Sequence, residues 1–527
     1  MKDLLFHRRR NVGNKIDDNP LVWQVVSFVA GLLAAFLLLP YILVPLSFVF
    51  YMLGGVFLLF FVWNVIPRRP FSFDISFFLS LSYSFLFGFF LFQCRYRQVT
   101  DFRILPDRVY QAHVEDVPVE GGRTWRMPMR LDDGRLVQVF VSKGRDSVPL
   151  GVYIHRGSVV HFSAWSIRYT DPKITEAWRG DERQYKSYYD YLFSRGFSAV
   201  CFVNASSLGF NPNCQAASPP ASWRAARGHI LAYYRSHLPE TQAAAVVEAM
   251  TMGEKSHLDK SSLQSFSRAG MSHLLALSGF HLGVVVMILN LVLFTSFIYR
   301  WNVIASLVVI VPTLWAYTLL VGCPPSLVRA SIMCSFYMLC RALRWGGEQR
   351  NVLSLALALM LCSDPLLLLD VGMQLSFTAV LGIIFLGLPL CGTVLRKPWY
   401  LRLPLSLVFI SFSCTFFTVP LVSFHFGYFP LYSIVSNMLS SLLSTVLMWT
   451  SVVWWLFTPF ASIQEALSSL LLFFSQLLCD ISDMVSHWPG SVYPVRINSI
   501  GLVSSYIIVV SVTKIINILL SRIKRHR

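Results

Sequence analysis

The sequence predicts a polytopic α-helical membrane protein of about twelve transmembrane helices carrying an extracytoplasmic OB-like β-barrel domain. Composition is the first reason: of 527 residues, 55% are hydrophobic and only 13% charged, with a mean hydropathy of +0.57. The second is distribution. The apolar residues gather in repeated runs near 20 residues, each long enough to cross a hydrocarbon core of about 30 Å. The third is an interruption between residues 95 and 220, where short alternating stretches and turn signals replace the long runs.

Residues 1–94 form an N-terminal group of helices. Arg8, Arg9 and Arg10 mark the cytoplasmic side, and spans follow at 21–39 and 43–66, separated by the helix-breaking stretch from Pro40 to Pro45. No small-residue cleavage site follows the first run, so it reads as a retained helix rather than a removed signal. Arg68 and Arg69 return the chain to the inside, and a third span at 71–93 ends at Arg95. Three crossings leave the next domain outside.

That domain, 95–220, carries β-branched and aromatic stretches at Val109–Val114, Leu136–Val141, Gly151–His155 and Val159–Trp165. Gly121-Gly122, Asp133-Gly134 and Arg156-Gly157-Ser158 supply turns, and several short strands in this space suggest a small barrel. The domain has about four more basic than acidic side chains. Its rings include Trp125, Trp165, Tyr169, Trp178, Tyr185, Tyr188, Tyr189 and Tyr191. Two readings stand side by side: the rings form the barrel core and its membrane rim, or basic groups and exposed rings make a track for single-stranded nucleic acid. On the second reading Trp125, Arg126, Arg130, Trp165, Arg168 and Tyr169 are the contact candidates. Cys201 and Cys214 are the cysteines well inside this domain, and an external compartment permits them to pair.

Residues 221–269 have an amphipathic helical pattern, with Trp223, Ile230, Tyr234 and Leu238 on the apolar side, and read as juxtamembrane struts. Residues 270–527 form the main bundle, with spans near 271–298, 303–321, 326–345, 351–369, 372–392, 403–424, 431–458, 463–486 and 498–520. Both termini then fall inside, in agreement with Arg522, Lys524, Arg525 and Arg527. The formal net charge of +17 follows in large part from such inner loops, and a polyanionic partner is the functional alternative.

The bundle contains polar residues where lipid-spanning helices should have none. In Gly270–Gly283, a continuous helix would align Ser272, Ala276, Gly279 and Gly283 as a stripe of small side chains, with Ser278 and His281 on another face. His273 precedes them. Arg329 lies one turn into a span that starts at Ser326, Asp364 and Asp370 put two carboxylates at the same depth, and Gln374 follows. Such groups either lock helices together, for instance as an Arg329–Asp370 pair, or line a wet passage. His425 at a helix end and Asn437 inside a span extend the series.

Taken in order, Met252-Gly253-Glu254, Phe266–Gly270 leading to His273-Leu274-Leu275-Ala276-Leu277-Ser278-Gly279-Phe280-His281, Pro325–Ala330, Asp364-Pro365 with Gly372–Phe377, and Ser436-Asn437 closely resemble the ComEC competence family. The likeness covers roughly 220–460 and extends more weakly to Tyr188–Leu192 before Arg195-Gly196. It implies a channel carrying single-stranded DNA across the bacterial cytoplasmic membrane during natural transformation, with His273, Ser278, His281, Arg329, Gln374 and Asn437 lining the passage and Asp364 and Asp370 as further polar candidates. The partners it implies are single-stranded DNA, membrane lipid, and a separate DNA receptor, nuclease and cytoplasmic motor. Oligomeric state is left open. Glu254 and Phe280 depart mildly from the family's usual Asp and Leu. The chain ends after its last span, and none of its twelve histidines forms the HxHxDH pattern of a metallo-β-lactamase-like zinc site. With no GxxxxGK[ST] loop either, neither a metal nor another cofactor is expected and the chain is not expected to be an enzyme. The alternatives are a secondary transporter or flippase for a smaller anion around Arg329, and an intramembrane hydrolase using Ser278 with His281 or His273 as base.

Overall fold

The computed structural model describes residues 20–39, 44–65, 72–101, 104–106, 108–115, 118–120, 124–143, 154, 158–176, 186–215, 222–295, 303–343, 349–395 and 397–525. The chain divides into two compact units, Met1–Ser218 with Arg350–Asp370, and Pro219–Gln349 with Val371–Arg527. Among the described residues, seven helices are long and apolar enough to cross a membrane, from Leu21–Leu38 to Ser499–Arg522. Five further apolar helices are shorter, at 10–17 residues. The protein is membrane-integral, and against the expected count of about twelve helices the described residues hold these seven and the five shorter ones.

In the first unit, the Pro20–Leu38 and Ser72–Thr100 helices cross at two glycines. A Cβ on Gly31 would lie 1.9 Å from the Phe85 carbonyl oxygen, and one on Gly88 would lie 2.3 Å from that of Phe28. No other residue allows this approach. The second of these helices runs past Arg95, where the sequence places its end, because its cations are met locally. Arg95 pairs with Asp364 at 3.2 Å, and Arg97 donates to the Val44 carbonyl at 2.9 Å. Asp370 accepts from Arg195 at 3.4 Å. The two carboxylates therefore bracket the Pro365–Leu369 3₁₀ turn and hold it against the Ser72–Thr100 and Lys186–Ser194 helices.

The sheet comprises β1 (Val109–Val114), β2 (Val119–Glu120), β3 (Thr124–Leu131), β4 (Leu136–Ser142), β5 (Ser158–Ser163), β6 (Ser166–Tyr169), β7 (Phe197–Asn204) and β8 (Leu208–Gln215). Three expected strands appear as β1, β4 and β5, whereas most of Gly151–His155 lies outside the described residues, as do Trp178 and Tyr185. The order is β6-β7-β4-β3-β1-β5-β8, with β2 on β3 and a parallel β4–β7 pair. Alternate residues, among them Met127, Met129, Val137, Val139, Phe162 and Cys201, point into one core. The sheet curls around that core without closing, since among the described residues β6 and β8 remain edges. The OB-like barrel expectation is corrected accordingly. Alternation decides which side chains face inward but not which distant strands pair.

The Cys201–Cys214 pairing is also corrected. Cys201 is a free, buried thiol on β7, well separated along the strand order from β8, and the side chain of Cys214 lies outside the described residues.

The second unit is built on the Gln242–Met252 helix, in which every residue from Ala243 onward is buried. Its eleven residues extend about 16 Å, too short to cross a bilayer. Thr241 caps its start and Gly253, at φ +72°, ends it in the left-handed conformation. Glu248 would be costly inside this helix, and Arg235 meets it with contacts of 3.3 and 3.4 Å. The Ser433–Leu456 and Ala461–Ser486 helices pack around it through small hydroxyl residues, with Ser475 Oγ donating to the Ala243 carbonyl at 2.6 Å. Within 221–269, then, an amphipathic Ser222–His237 helix leads to a wholly buried one.

Two predictions follow from packing. Gly31→Val should destabilise the purified protein by about 1–3 kcal/mol or more in a thermal or denaturant melt, while Gly54→Ala, which meets open space, should leave the melt within about 1 kcal/mol of the parent; equal melts would refute the crossing. Burial pushes the Cys201 thiol up to about 12. Its contribution to stability is complete below the free-thiol pKa of about 8.5 and is lost as pH rises from there towards 12. A maleimide should leave Cys201 unmodified at pH ~8 until the protein is unfolded, and peptide mass spectrometry reads the result.

Candidate functional site

The polar residues of the second unit gather where several of its helices begin. The expected continuous helix through Gly270–Gly283 is broken: Ser272–Leu275 forms one turn, Ala276–Ser278 is extended or irregular, and a new helix runs Gly279–Thr295. The stripe of Ser272, Ala276, Gly279 and Gly283 is therefore not one helix face. Gly279 alone of its two glycines meets another helix, with Ala330 Cβ 3.3 Å from where its own Cβ would be.

The break has a local cause in Ser278 and His281. Ser278 Oγ accepts from the Phe280 N–H at 3.3 Å, while His281 Nδ1 lies 3.3 Å from the Ser278 N–H and 3.0 Å from its Oγ. This is the reciprocal arrangement of a capping box, with histidine in the place usually held by Glu or Gln. An Nδ1 that accepts puts the proton of a neutral imidazole on Nε2. His281 is fully buried, and among the described residues its Nε2 has no hydrogen-bond partner. His273, by contrast, is exposed.

Arg329, 2% exposed, sits early in the Pro325–Ala342 helix. Its Nη2 donates to Ser376 Oγ, and its guanidinium lies 5.1 Å from the centroid of the Phe377 ring. Both partners belong to the Val371–Gly382 helix, which also carries Gln374. Gln374 Oε1 is 2.9 Å from His425 Nε2, at the end of the Trp399–Phe426 helix. The Pro325–Ala342 helix thus stands between the capped helix and the glutamine helix, linking His281, Arg329, Gln374 and His425 into one neighbourhood. Asn437 lies apart from these contacts, with a buried Oδ1 that has no hydrogen-bond partner among the described residues, while the adjacent Ser436 Oγ donates to the Ala269 carbonyl at 2.6 Å. Asp364 and Asp370 belong to the first unit, on Arg95 and Arg195.

The sheet divides the contact candidates by strand alternation. Trp125 and Tyr169 are structural: Trp125 is 7% exposed in the core, and the Tyr169 hydroxyl donates to the Ile104 carbonyl at 3.0 Å. Arg126 and Arg130 face outward on β3, Arg168 is half-buried, and Trp165 is 59% exposed. Register sets Arg126 opposite Phe140 and Phe140 opposite Phe202, and Trp165 packs on Phe202 with centroids 6.0 Å apart. The Phe140 and Phe202 rings stack at 5.6 Å. A row of one cation and three rings therefore crosses the outer face beside Tyr188, whose hydroxyl is raised above its usual pKa by burial against the opposing pull of Arg126. Both phenylalanines are half-buried, packed with Tyr188 and Phe197 against Tyr189, Leu192 and Val200, and strand register rather than local sequence aligns them.

The cap makes a specific prediction. Ser278→Ala should lower stability by about 1 kcal/mol, and His281→Leu should do likewise. His281→Gln should retain the parent melting temperature, since glutamine also serves in a capping box. A melt in which Gln is no better than Leu would oppose this assignment.

These residues fall within a region with known relatives. The family model described as Competence protein matches residues 250–518, just over half of the chain. ComE operon protein 3 of Bacillus subtilis (strain 168) is 27% identical over 214 residues, 40% of this chain and 26% of that protein. The aligned part spans about a quarter of the relative's length. No solved structure matches the chain. The match from Met250 through the capped helix, Arg329, Gln374 and Asn437 establishes that the chain belongs to the competence protein family.

Proposed function

We propose that this protein is a channel that passes single-stranded DNA across the bacterial cytoplasmic membrane during natural transformation. The observation that carries the reading is the family match over 250–518, which contains the whole polar neighbourhood around Arg329. A polyanion cannot cross hydrocarbon, so its path needs polar walls and fixed positive charge. Arg329 supplies the charge, Gln374 and His425 the neighbouring polar groups, and the exposed His273 a further one. Ser278 and His281 act by fixing the helix break rather than by bond cleavage.

The row Arg126–Phe140–Phe202–Trp165 suits a strand that arrives before transport, because rings stack on any base and a cation meets the backbone. In this reading the sheet domain lies outside, both termini lie in the cytoplasm, and about twelve helical segments enter the membrane. The DNA receptor, the nuclease and the motor are separate proteins.

A second reading draws on the break at Ala276–Ser278: broken helices also serve secondary transporters and flippases for smaller anions. Transformation frequency separates the two. Arg329→Ala should reduce transformants by about 10–100-fold, the equivalent of one charge-assisted hydrogen bond of 1.5–3 kcal/mol, with protein level matched by immunoblot and labelled DNA still held outside the cytoplasm. Normal transformation in a competent deletion strain without a paralogue would overturn the DNA reading.

A further inference from the structure

The first unit contains a cavity of about 320 Å³ that the stacking row does not use. Its walls come from three places: Arg95 and Gln98 near the end of the Ser72–Thr100 helix, Arg130 and Arg135 flanking the β3–β4 turn, and Gly196 and Ser198 at the start of β7. Gly196 has φ +78°, and a Cβ there would stand 2.8 Å from Arg95 Nη2. A side chain at 196 would both strain the backbone and displace the guanidinium.

Each arginine already has an acidic neighbour, Asp364 for Arg95, Glu115 for Arg130 and Asp133 for Arg135. The three arginine side chains nonetheless remain 31%, 45% and 29% exposed. A guanidinium has five N–H donors, so a partly exposed one that is already paired keeps donors open to a further acceptor. Of the three carboxylates, Asp133 alone lines the cavity, while Asp364 and Glu115 meet their arginines away from its walls, so that three guanidinium groups and one carboxylate face the space. A guanidinium presents paired donors that match a phosphate, and the cavity is at the small end of the range for ligand sites.

We propose that this cavity is a phosphodiester subsite, binding one backbone phosphate of the single strand while neighbouring bases stack elsewhere on the domain. It deepens the DNA reading and rests on it. Arg130 belongs to the outward-facing residues of β3, as Arg126 of the stacking row does, so cavity and row are reached along one strand. Arg135 is the cation to test, because its acidic neighbour Asp133 lies in the same turn, and replacing it leaves the Arg95–Asp364 and Arg130–Glu115 pairs in place. A phosphate held here would position the strand without reading its sequence.

The test uses the full chain in phosphatidylcholine nanodiscs and a fluorescein-labelled oligothymidylate, with anisotropy titrations across a salt series. Arg135→Gln should weaken binding several-fold and flatten the dependence of log K on log salt by about 0.7, the value for one phosphate contact on single strands. Arg135→Lys should retain most of the slope, and a methylphosphonate oligothymidylate, which lacks the charge, should bind parent and Arg135→Gln alike. An Arg135→Gln slope equal to the parent's, in protein that binds the oligonucleotide and melts normally, overturns the subsite and leaves the DNA reading standing. Failure of the parent itself to bind oligothymidylate defeats the DNA reading and the subsite with it. If Arg135→Gln leaves the oligothymidylate titrations unchanged and weakens only the association with phosphatidylglycerol, measured in a parallel set of nanodiscs that contain it, the cavity serves a lipid headgroup and the proposal is wrong.

Discussion

A guanidinium taken into a membrane or a folded interior costs about 2.5–3.5 kcal/mol on insertion scales, and the arrangement of each unit follows from how that cost is met. In the second unit Arg329 is almost wholly buried, so the Val371–Gly382 helix must present both a hydroxyl, Ser376, and a ring, Phe377, at one place. In the first, Arg95 and Arg195 are less buried and take carboxylates instead, from the two ends of the Pro365–Leu369 turn. The chain therefore detours within its family-matched region: a segment lying between bundle helices in sequence packs with the N-terminal unit because its acids complement arginines there.

The same accounting explains the broken helix. A continuous apolar helix from residue 271 would leave Ser278 and His281 facing hydrocarbon or protein without partners. Breaking it at Ala276–Ser278 lets the two side chains satisfy each other and the first amides of the Gly279–Thr295 helix. A serine and histidine 3.0 Å apart can also suggest nucleophile and base. Here the imidazole nitrogen nearest the serine is engaged in capping, and among the described residues the far nitrogen has no hydrogen-bond partner.

Much of the fold was legible. Apolar run length located nearly all the long helices, Val109–Val114 matched β1 to the residue, and Asp133-Gly134 marked a turn in which Gly134 has φ +86°. The motif residues around Arg329 and Gln374 were legible as polar groups in apolar surroundings. Their pairing was not: His425 stood out only as a polar residue at a helix end, and Ser376 and Phe377 only as members of a motif, because which helices meet is not a local property of the chain. Trp125 and Tyr169 looked like binding rings for the same reason: one residue of register separates the core face of a strand from its solvent face.

The sequence by itself determined that this is a largely helical membrane protein with one β-rich insertion, since run length, alternation and turn residues are local properties of the chain. Tertiary structure alone decided that among the described residues the sheet stays open, that Cys201 is a free core thiol, that the Gln242–Met252 helix is buried from Ala243 onward, and that a cation on β3 and rings on β4, β7 and the β5–β6 connection fall into one row. Each of these depends on which distant segments meet, and distant meetings are selected by the summed burial and pairing of many residues rather than by any pattern a short stretch can carry.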